Sequence, residues 1–328
     1  MKSTWTMQKV WNESLENRAE RPIEPRQKIW ASELGKADIE IYLKLIGETP
    51  TNYPNARARR KFEAGNIWEW IIKLVLMRAG VYRESQTPVS YAESNLNLEV
   101  SGKLDHIAGG KVDIEQAESA IDSLEMPELF TRASKAIIEY FVKEYPNGLD
   151  EKIIEVKSVS SFAFDAIEST NKALAGHDLQ LFHYCYNLKK EGAIVYICRD
   201  DARMYEIPIL PNDVKLLSRY TEKIARVTSF YRARKEPEKE PAIIFDEEVG
   251  KFRKNFNAEY SMFLTRLYGF KDQSEFDDTY GGLSERWNRV LGRLKEGKDM
   301  TANNLDAIAE MGVHGYDIET IKSKILKK

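Results

Sequence analysis

Glu155 and Lys157 stand two positions apart in the run Ile153, Ile154, Glu155, Val156, Lys157, Ser158. On a strand, successive side chains alternate faces, so Glu155 and Lys157 would share one side while Ile154 and Val156 share the other. Their Cα atoms would lie roughly 6.5–7 Å apart, from a rise of about 3.3 Å per residue. Opposite charges within an apolar strand cost free energy unless something uses them. A divalent metal at Glu155, with Lys157 beside the attacking water, would be such a use.

Two more carboxylates stand in regular patterns. Asp105 interrupts the strand-like run Val100, Ser101, Gly102, Lys103, Leu104, Asp105, His106, Ile107, where aspartate is disfavoured. Its ordinary reading is a turn residue before Gly109 and Gly110, and that of His106 is a satisfied structural histidine. Glu69 lies four residues after Gly65 in a long helical pattern, where it could simply pair with Lys73 at i+4. Gln180 and Tyr184 form another i,i+4 pair, which read alone is a polar helix face with a half-buried tyrosine. Hard divalent cations take oxygen ligands, and Mg²⁺ needs only one or two carboxylates beside waters and substrate phosphate. Such ions activate water and stabilise the leaving oxygen in phosphodiester cleavage.

Positioning these groups requires a sheet with helices around it. The chain has 328 residues, 42% hydrophobic and 31% charged, the composition of a soluble globular protein. Its net charge of -3 and pI near 6.0 mean that any nucleic-acid face must come from local clustering. The two cysteines, Cys185 and Cys198, form no CxxC, which excludes a zinc ribbon or a four-cysteine iron–sulfur cluster built from this chain alone. They read as reduced core thiols. No stretch reaches membrane-spanning length, and Trp5, Lys9, Trp11, Asn12 and Glu13 interrupt any signal-peptide core.

Along the chain, residues 1–30 read as an arm broken at Pro22 and Pro25. Ser32 is placed to cap a helix over 33–46. Residues 55–79 predict a long helix, basic at Arg57, Arg59, Arg60 and Lys61 and then so apolar that burial on most sides is expected. Strands follow within 82–107, the last from Leu96 to Ile107. Residues 111–150 form a helical insert with a helix from Pro127 to about Tyr145. Strand, helix and strand over 151–198 predict a βαβ crossover with a parallel pair. A helix over 212–235 carries Arg226 and Arg232 among the aromatics Tyr220, Phe230 and Tyr231. A charged, proline-bounded linker follows, then further helices and turns from 242 with no assignable motif.

The series Gly65-x-x-x-Glu69, Gly102-x-x-Asp105, Glu155-Val156-Lys157 and Gln180-x-x-x-Tyr184 resembles the PD-(D/E)XK nuclease superfamily, in its RecB, Cas4 and lambda-exonuclease branch, over residues 55–210. The resemblance implies an α/β fold with a mixed central sheet flanked by helices, like restriction endonucleases, in a domain over 31–240 with the insert 111–150. Residues 241–328 then form a mostly helical accessory region. It implies Asp105, Glu155 and Glu69 as metal ligands, joined by the Val156 carbonyl. Lys157 would orient or activate water, and Gln180 and Tyr184 would position the DNA strand or the lysine. Two departures stand out. The gap from Asp105 to Glu155 exceeds the family's usual hairpin, and the cluster cysteines of many Cas4-type relatives are absent.

The expected activity is therefore Mg²⁺- or Mn²⁺-dependent hydrolysis of DNA, in exonuclease mode, in recombination, repair or phage DNA processing. Arg57, Arg59, Arg60, Lys61, Arg226 and Arg232 are the expected phosphate contacts, with the interleaved aromatics suited to stacking on unpaired bases. The expected partners are DNA and a recombination or annealing protein, in a bacterial or phage-infected cytoplasm, with self-association left open and no membrane. The competing reading is a non-catalytic nucleic-acid-binding or assembly protein on the same scaffold.

Overall fold

The computed structural model describes residues 6–16, 23–92, 97–123, 128–247 and 249–326. A helix α1 (Met7–Glu16) precedes a short strand β1 (Lys28–Trp30) and a 3-10 turn at Ala31–Glu33. After α2 (Asp38–Leu45) comes the long α3 (Ala56–Arg78), then β2 (Tyr82–Tyr91) and β3 (Glu99–Gly110). Helices α4 (Ile114–Asp122) and α5 (Glu128–Glu144) fill the segment before β4 (Leu149–Val159). α6 (Ser161–Thr170) and α7 (His177–Leu188) cross to β5 (Gly192–Cys198), followed by β6 (Met204–Ile209) and α8 (Val214–Ala233). A hairpin of β7 (Ile243–Asp246) and β8 (Lys251–Lys254) leads into α9 (Phe256–Glu259), α10 (Leu264–Tyr268), α11 (Gln273–Lys295), α12 (Ala302–Val313) and α13 (Ile318–Leu326). Among the described residues, no helix is long and apolar enough to cross a membrane.

The chain divides into two units. The first, which includes Pro25–Lys36 and Asn55–Lys235, is a mixed α/β fold around a six-stranded sheet in the order β1-β3-β4-β5-β6, with β2 also paired to β3. β4 and β5 are parallel, in register Glu155 to Ile194 and Lys157 to Tyr196, as the crossover pattern predicts. The β-branched run of β4 and the fully buried β5 explain this centre, since each buried Val or Ile side chain stabilises by about 1.5–3 kcal/mol. On one side of the sheet, Ile154, Val156, Ala193, Val195 and Ile197 pack with Ile72, Trp68 and Leu76 of α3. α7 covers the other side so closely that a Cβ on Gly192 would lie 2.6 Å from the Cys185 sulfur.

Several expectations are corrected here. The helix expected over 33–46 is broken, because Gly35 presses against Gly176; a Cβ there would lie 2.5 Å from the Gly176 Cα. Only the 3-10 turn remains at its start, and α2 belongs to the second unit. α3 is not buried on most sides: it covers the sheet with one face and leaves Ile67 and Trp70 outward, 54% and 55% exposed. Asp105 is not a turn residue but lies well inside β3. The break at Pro22 and the starts expected at Leu96 and Pro127 lie outside the described residues.

The second unit, which includes Ala37–Pro54 and Glu236–Lys328, has its own core. Phe252, Trp287, Val290, Leu291, Met311 and Ile321 form its centre, closed by ring contacts of Trp287 with Phe252 and Tyr316. The β7–β8 hairpin supplies Ile243 and Phe252 to that core.

Candidate active site where β3 changes partners

β3 pairs with β2 along one edge from Val100 to Ala108. Its other edge is shared. β1 runs parallel to it over Glu99, Val100 and Ser101, and β4 runs antiparallel to it from His106 onwards, with His106 opposite Ile154. Between them, positions 102–105 of that edge have no strand partner. Side chains take the backbone groups left over, as buried polar groups require. The Tyr184 hydroxyl donates to the Lys103 carbonyl at 3.0 Å, and the Val156 amide donates to Asp105 Oδ2 at 2.8 Å. Gly102 makes room for this: a Cβ there would lie 2.5 Å from the Tyr184 hydroxyl and 2.9 Å from the Ala31 Cβ.

Continuing the β3–β4 register one step beyond His106 and Ile154 places Asp105 opposite Glu155, both on the α7 side. Glu155 is fully buried. Its Oε1 accepts from Lys157 Nζ at 2.6 Å and from Gln180 Nε2 at 2.6 Å. Its Oε2 is buried without a hydrogen-bond partner. Burial raises the Glu155 carboxyl above its ordinary range, against the pull of Lys157. Burial, together with the Glu155 charge, pushes Asp105 up to about 8, while Lys157 and the Val156 amide oppose it. Burial works to deprotonate Lys157, but the attraction of Glu155 and Asp105 outweighs it and holds the ammonium above its ordinary value. Asp105 and Lys157 remain partly open to solvent, with Glu155 as the floor beneath them.

Glu69 lies at the edge of this group. Its carboxylate accepts from Gln86 Nε2 at 2.7 Å, and its charge is felt by Asp105, Glu155 and Lys157. Among the described residues, no three His, Cys, Asp or Glu side chains are grouped closely enough to hold a metal ion. The acids brought opposite one another are therefore the pair Asp105 and Glu155. Two raised carboxyls, one with an unpartnered buried oxygen, fit a hard divalent cation, which needs no third acid when it is of the Mg²⁺ type. The Val156 side chain packs into the α3 face of the core, so any part it takes in such a set falls to its backbone. His106 is buried on the α3 side, its Nε2 3.2 Å from the Glu69 carbonyl. That contact requires the tautomer protonated at Nε2.

Two further groups lie beside Lys157: Tyr196, which a reading of the sequence misses, and His177, which shares the Gln180 face of its helix. Tyr196 pairs with Lys157 in the β4–β5 register, and its hydroxyl lies 3.0 Å from His177 Nδ1 and accepts the Leu174 amide at 3.0 Å. The two rings stack at 5.8 Å. Burial, helped by Lys157, lowers His177 to about 3, so the imidazole stays neutral. The only signal in the sequence is a histidine one helical turn before Gln180.

The basic residues divide by use. On α3, Arg59 donates to the Leu15 carbonyl at 2.7 Å, and Arg60 bonds Asn12 and lies 6.0 Å over the Trp11 ring. Both thus brace α1, while Arg57 and Lys61 are exposed. Arg226 and Arg232 are exposed on α8, but Tyr220 between the basic positions is fully buried against His183 and Phe182. That tyrosine cannot stack on a base, which corrects the expectation for Tyr220; Phe230 and Tyr231 are half-buried.

No family model matches the chain, and no curated protein matches it. Among solved structures, the chain is similar to SSO0001, at 15% identity over 79% of this chain and 92% of that one, with a TM-score of 0.40. It is also similar to LHK-Exo in complex with dAMP, at 12% identity over 69% of this chain and 93% of that one, with a TM-score of 0.38. A second structure of LHK-Exo, an alkaline exonuclease from Laribacter hongkongensis, is similar at 11% identity over the same shares, 69% and 93%, with a TM-score of 0.36.

Proposed function

We propose that the chain is a Mg²⁺- or Mn²⁺-dependent deoxyribonuclease of the PD-(D/E)XK kind, acting on DNA ends in recombination, repair or phage DNA processing. The observation that carries this reading is the convergence of Asp105, Glu155 and Lys157 at the gap in β3, with one oxygen of Glu155 left bare. Asp105 and Glu155 would hold the cation, which when bound supplies Lewis-acid stabilisation of the phosphodiester. Asp105 must shed its proton first, and a bound cation would offset the burial and the Glu155 repulsion that raise it. Lys157, charged and partly open, holds the attacking water by hydrogen bonding and stabilises negative charge developing on the phosphate. Gln180 fixes the Glu155 carboxylate, and Tyr184 fixes the β3 backbone beside it. Exposed Arg57, Lys61, Arg226 and Arg232 supply phosphate contacts. Such an enzyme works in the cytoplasm, where Cys185 and Cys198, free and buried, stay reduced. A recombination or annealing protein is its proposed partner.

The test is cleavage of end-labelled linear DNA and of closed circles with Mg²⁺ or Mn²⁺. Loss of the linear form, sparing of circles, inactivity of Asp105→Asn at unchanged melting temperature, and inactivity of Lys157→Ala under conditions where circular dichroism shows it folded would support the reading. A wild type inert on linear, nicked, branched and single-stranded DNA and on RNA with both metals would end it. The alternative is a non-catalytic nucleic-acid-binding or assembly protein on the same scaffold. DNA binding without cleavage would decide for it.

A further inference from the structure

The second unit contains a groove that the site above does not use. It has a volume of about 660 Å³ and lies between α11 and the start of α12, lined by Arg286, Arg289, Arg293, Glu296, Thr301 and Asn303 among others. The three arginines fall at i, i+3 and i+7 of α11 and so project from one face of the helix. Two of them are already held in place. Arg286 pairs with Glu310 at 3.1 Å, and Glu310 also accepts from Trp287 Nε1 at 3.2 Å. Arg293 donates through Nε and Nη2 to the Asp299 carbonyl at 3.2 and 2.6 Å, which tightens the turn into α12. Arg289, between them, is exposed. The one acid in the lining, Glu296, is ion-paired with Lys298 at 2.5 Å, so the groove keeps its positive character.

Like charges on successive turns work against a helix, and an anion in the groove would relieve them. Guanidinium groups suit phosphate because their planar fork donates two parallel hydrogen bonds. Seven residues of helix rise span about 10 Å, long enough for the three arginines to meet more than one phosphate of a polynucleotide strand. The walls named here carry no aromatic side chain, so they offer charge and amide donors rather than a base-stacking surface. We infer that this groove binds the sugar-phosphate backbone of a polynucleotide, through Arg286, Arg289 and Arg293, as a contact independent of base sequence. The choice of a polynucleotide rests on the proposed nuclease reading; the anion chemistry does not.

The test uses the full chain in EDTA, so that binding is read without cleavage. A fluorescent single-stranded or duplex oligonucleotide is titrated at several salt concentrations against wild type, Arg289→Ala and Arg289→Glu, with melting curves as the folding control. Arg289→Ala should weaken binding about threefold or more, and Arg289→Glu about tenfold or more. Each should lower the slope of log affinity against log salt by about one. Affinities and slopes equal to wild type overturn the inference, as does a wild type that binds no polynucleotide. Inorganic pyrophosphate or a mononucleotide binding at the groove as tightly as the polymer also overturns it, in favour of a small-anion site. Cleavage with Mg²⁺ is scored separately. Loss of binding in Arg289→Glu with no cleavage by the wild type leaves the groove standing and removes the nuclease, whereas cleavage with unchanged binding does the reverse.

Discussion

Lys157 reaches back along its own strand to Glu155, its Nζ 2.6 Å from Oε1. Because the carboxylate is buried, that ammonium and the Gln180 amide are what make its charge tolerable. Removing either should therefore affect both stability and chemistry.

For Gln180, alanine leaves Glu155 with one donor fewer in a buried site. The expected cost is about 1–3 kcal/mol of stability. Gln180→Glu should cost more, since it sets a second carboxylate against the first. Urea denaturation orders the two variants, and equal stability of wild type and Gln180→Glu would contradict the assigned contact.

For Lys157, methionine keeps most of the stem and deletes the charge. Breaking a buried ion pair from one side costs about 3–5 kcal/mol, and less here because the lysine is partly open. Glu155→Gln in the same chain should return part of that loss, because no uncompensated charge remains. A double-mutant cycle measures the coupling, which should reach about 0.5–3 kcal/mol; additive effects would show that the pair is not coupled.

Gly102 and Tyr184 form a second testable pair. Gly102→Ala drives a methyl into the Tyr184 hydroxyl and should destabilise by about 1–3 kcal/mol. Tyr184→Phe removes the nearest of these atoms at the cost of the bond to Lys103 and leaves the Ala31 Cβ 2.9 Å away, so adding it to Gly102→Ala should recover part of the lost stability. Thermal melts of the four forms suffice, and a double variant no better than Gly102→Ala would refute the packing account.

His183 gives a dependence on pH. It is fully buried, with Nδ1 2.8 Å from the Tyr220 hydroxyl and Nε2 3.3 Å from the Val89 carbonyl. Burial lowers it to about 4, against the Val89 carbonyl. The fold thus prefers neutral imidazole. Its contribution is complete above pH 6.5 and is lost as pH falls from 6.5 towards 4, by up to about 3 kcal/mol. Comparing denaturation at pH 7.5 and 5.0, the fall in stability should be smaller in His183→Gln. His177 shifts in the same direction, so part of the fall should persist. An unchanged fall in the variant would show that His183 does not titrate in this window.

Much of the central sheet is legible in the sequence because its signals are local. β4 and β5 are β-branched runs, and the helical crossover between them returns the chain as a parallel pair. The acids and the lysine stand out for the related reason that charge is rare in such runs. What links them is not local. The sequence of β3 does not show that its edge passes from β1 to β4, since β1 is three residues long and far away in the chain. Without that gap there is no reason for Asp105 to take the Val156 amide, or for Tyr184 to take the Lys103 carbonyl. The tie of Arg59 and Arg60 to α1 was hidden in the same way, because a basic cluster reads alike whether it faces solvent or a neighbouring helix.

The excursion of residues 37–54 has a practical consequence. They are flanked in sequence by parts of the first unit yet pack with the second. Ile39, Ile41, Leu43 and Leu45 of α2 are all buried there. Expressing residues 1–235 alone would strip these side chains of their cover and leave an oily helix tethered inside an otherwise foldable piece. Such a fragment should precipitate or be digested at that segment, so the first unit is better isolated by replacing 37–54 with a short polar bridge than by cutting the tail.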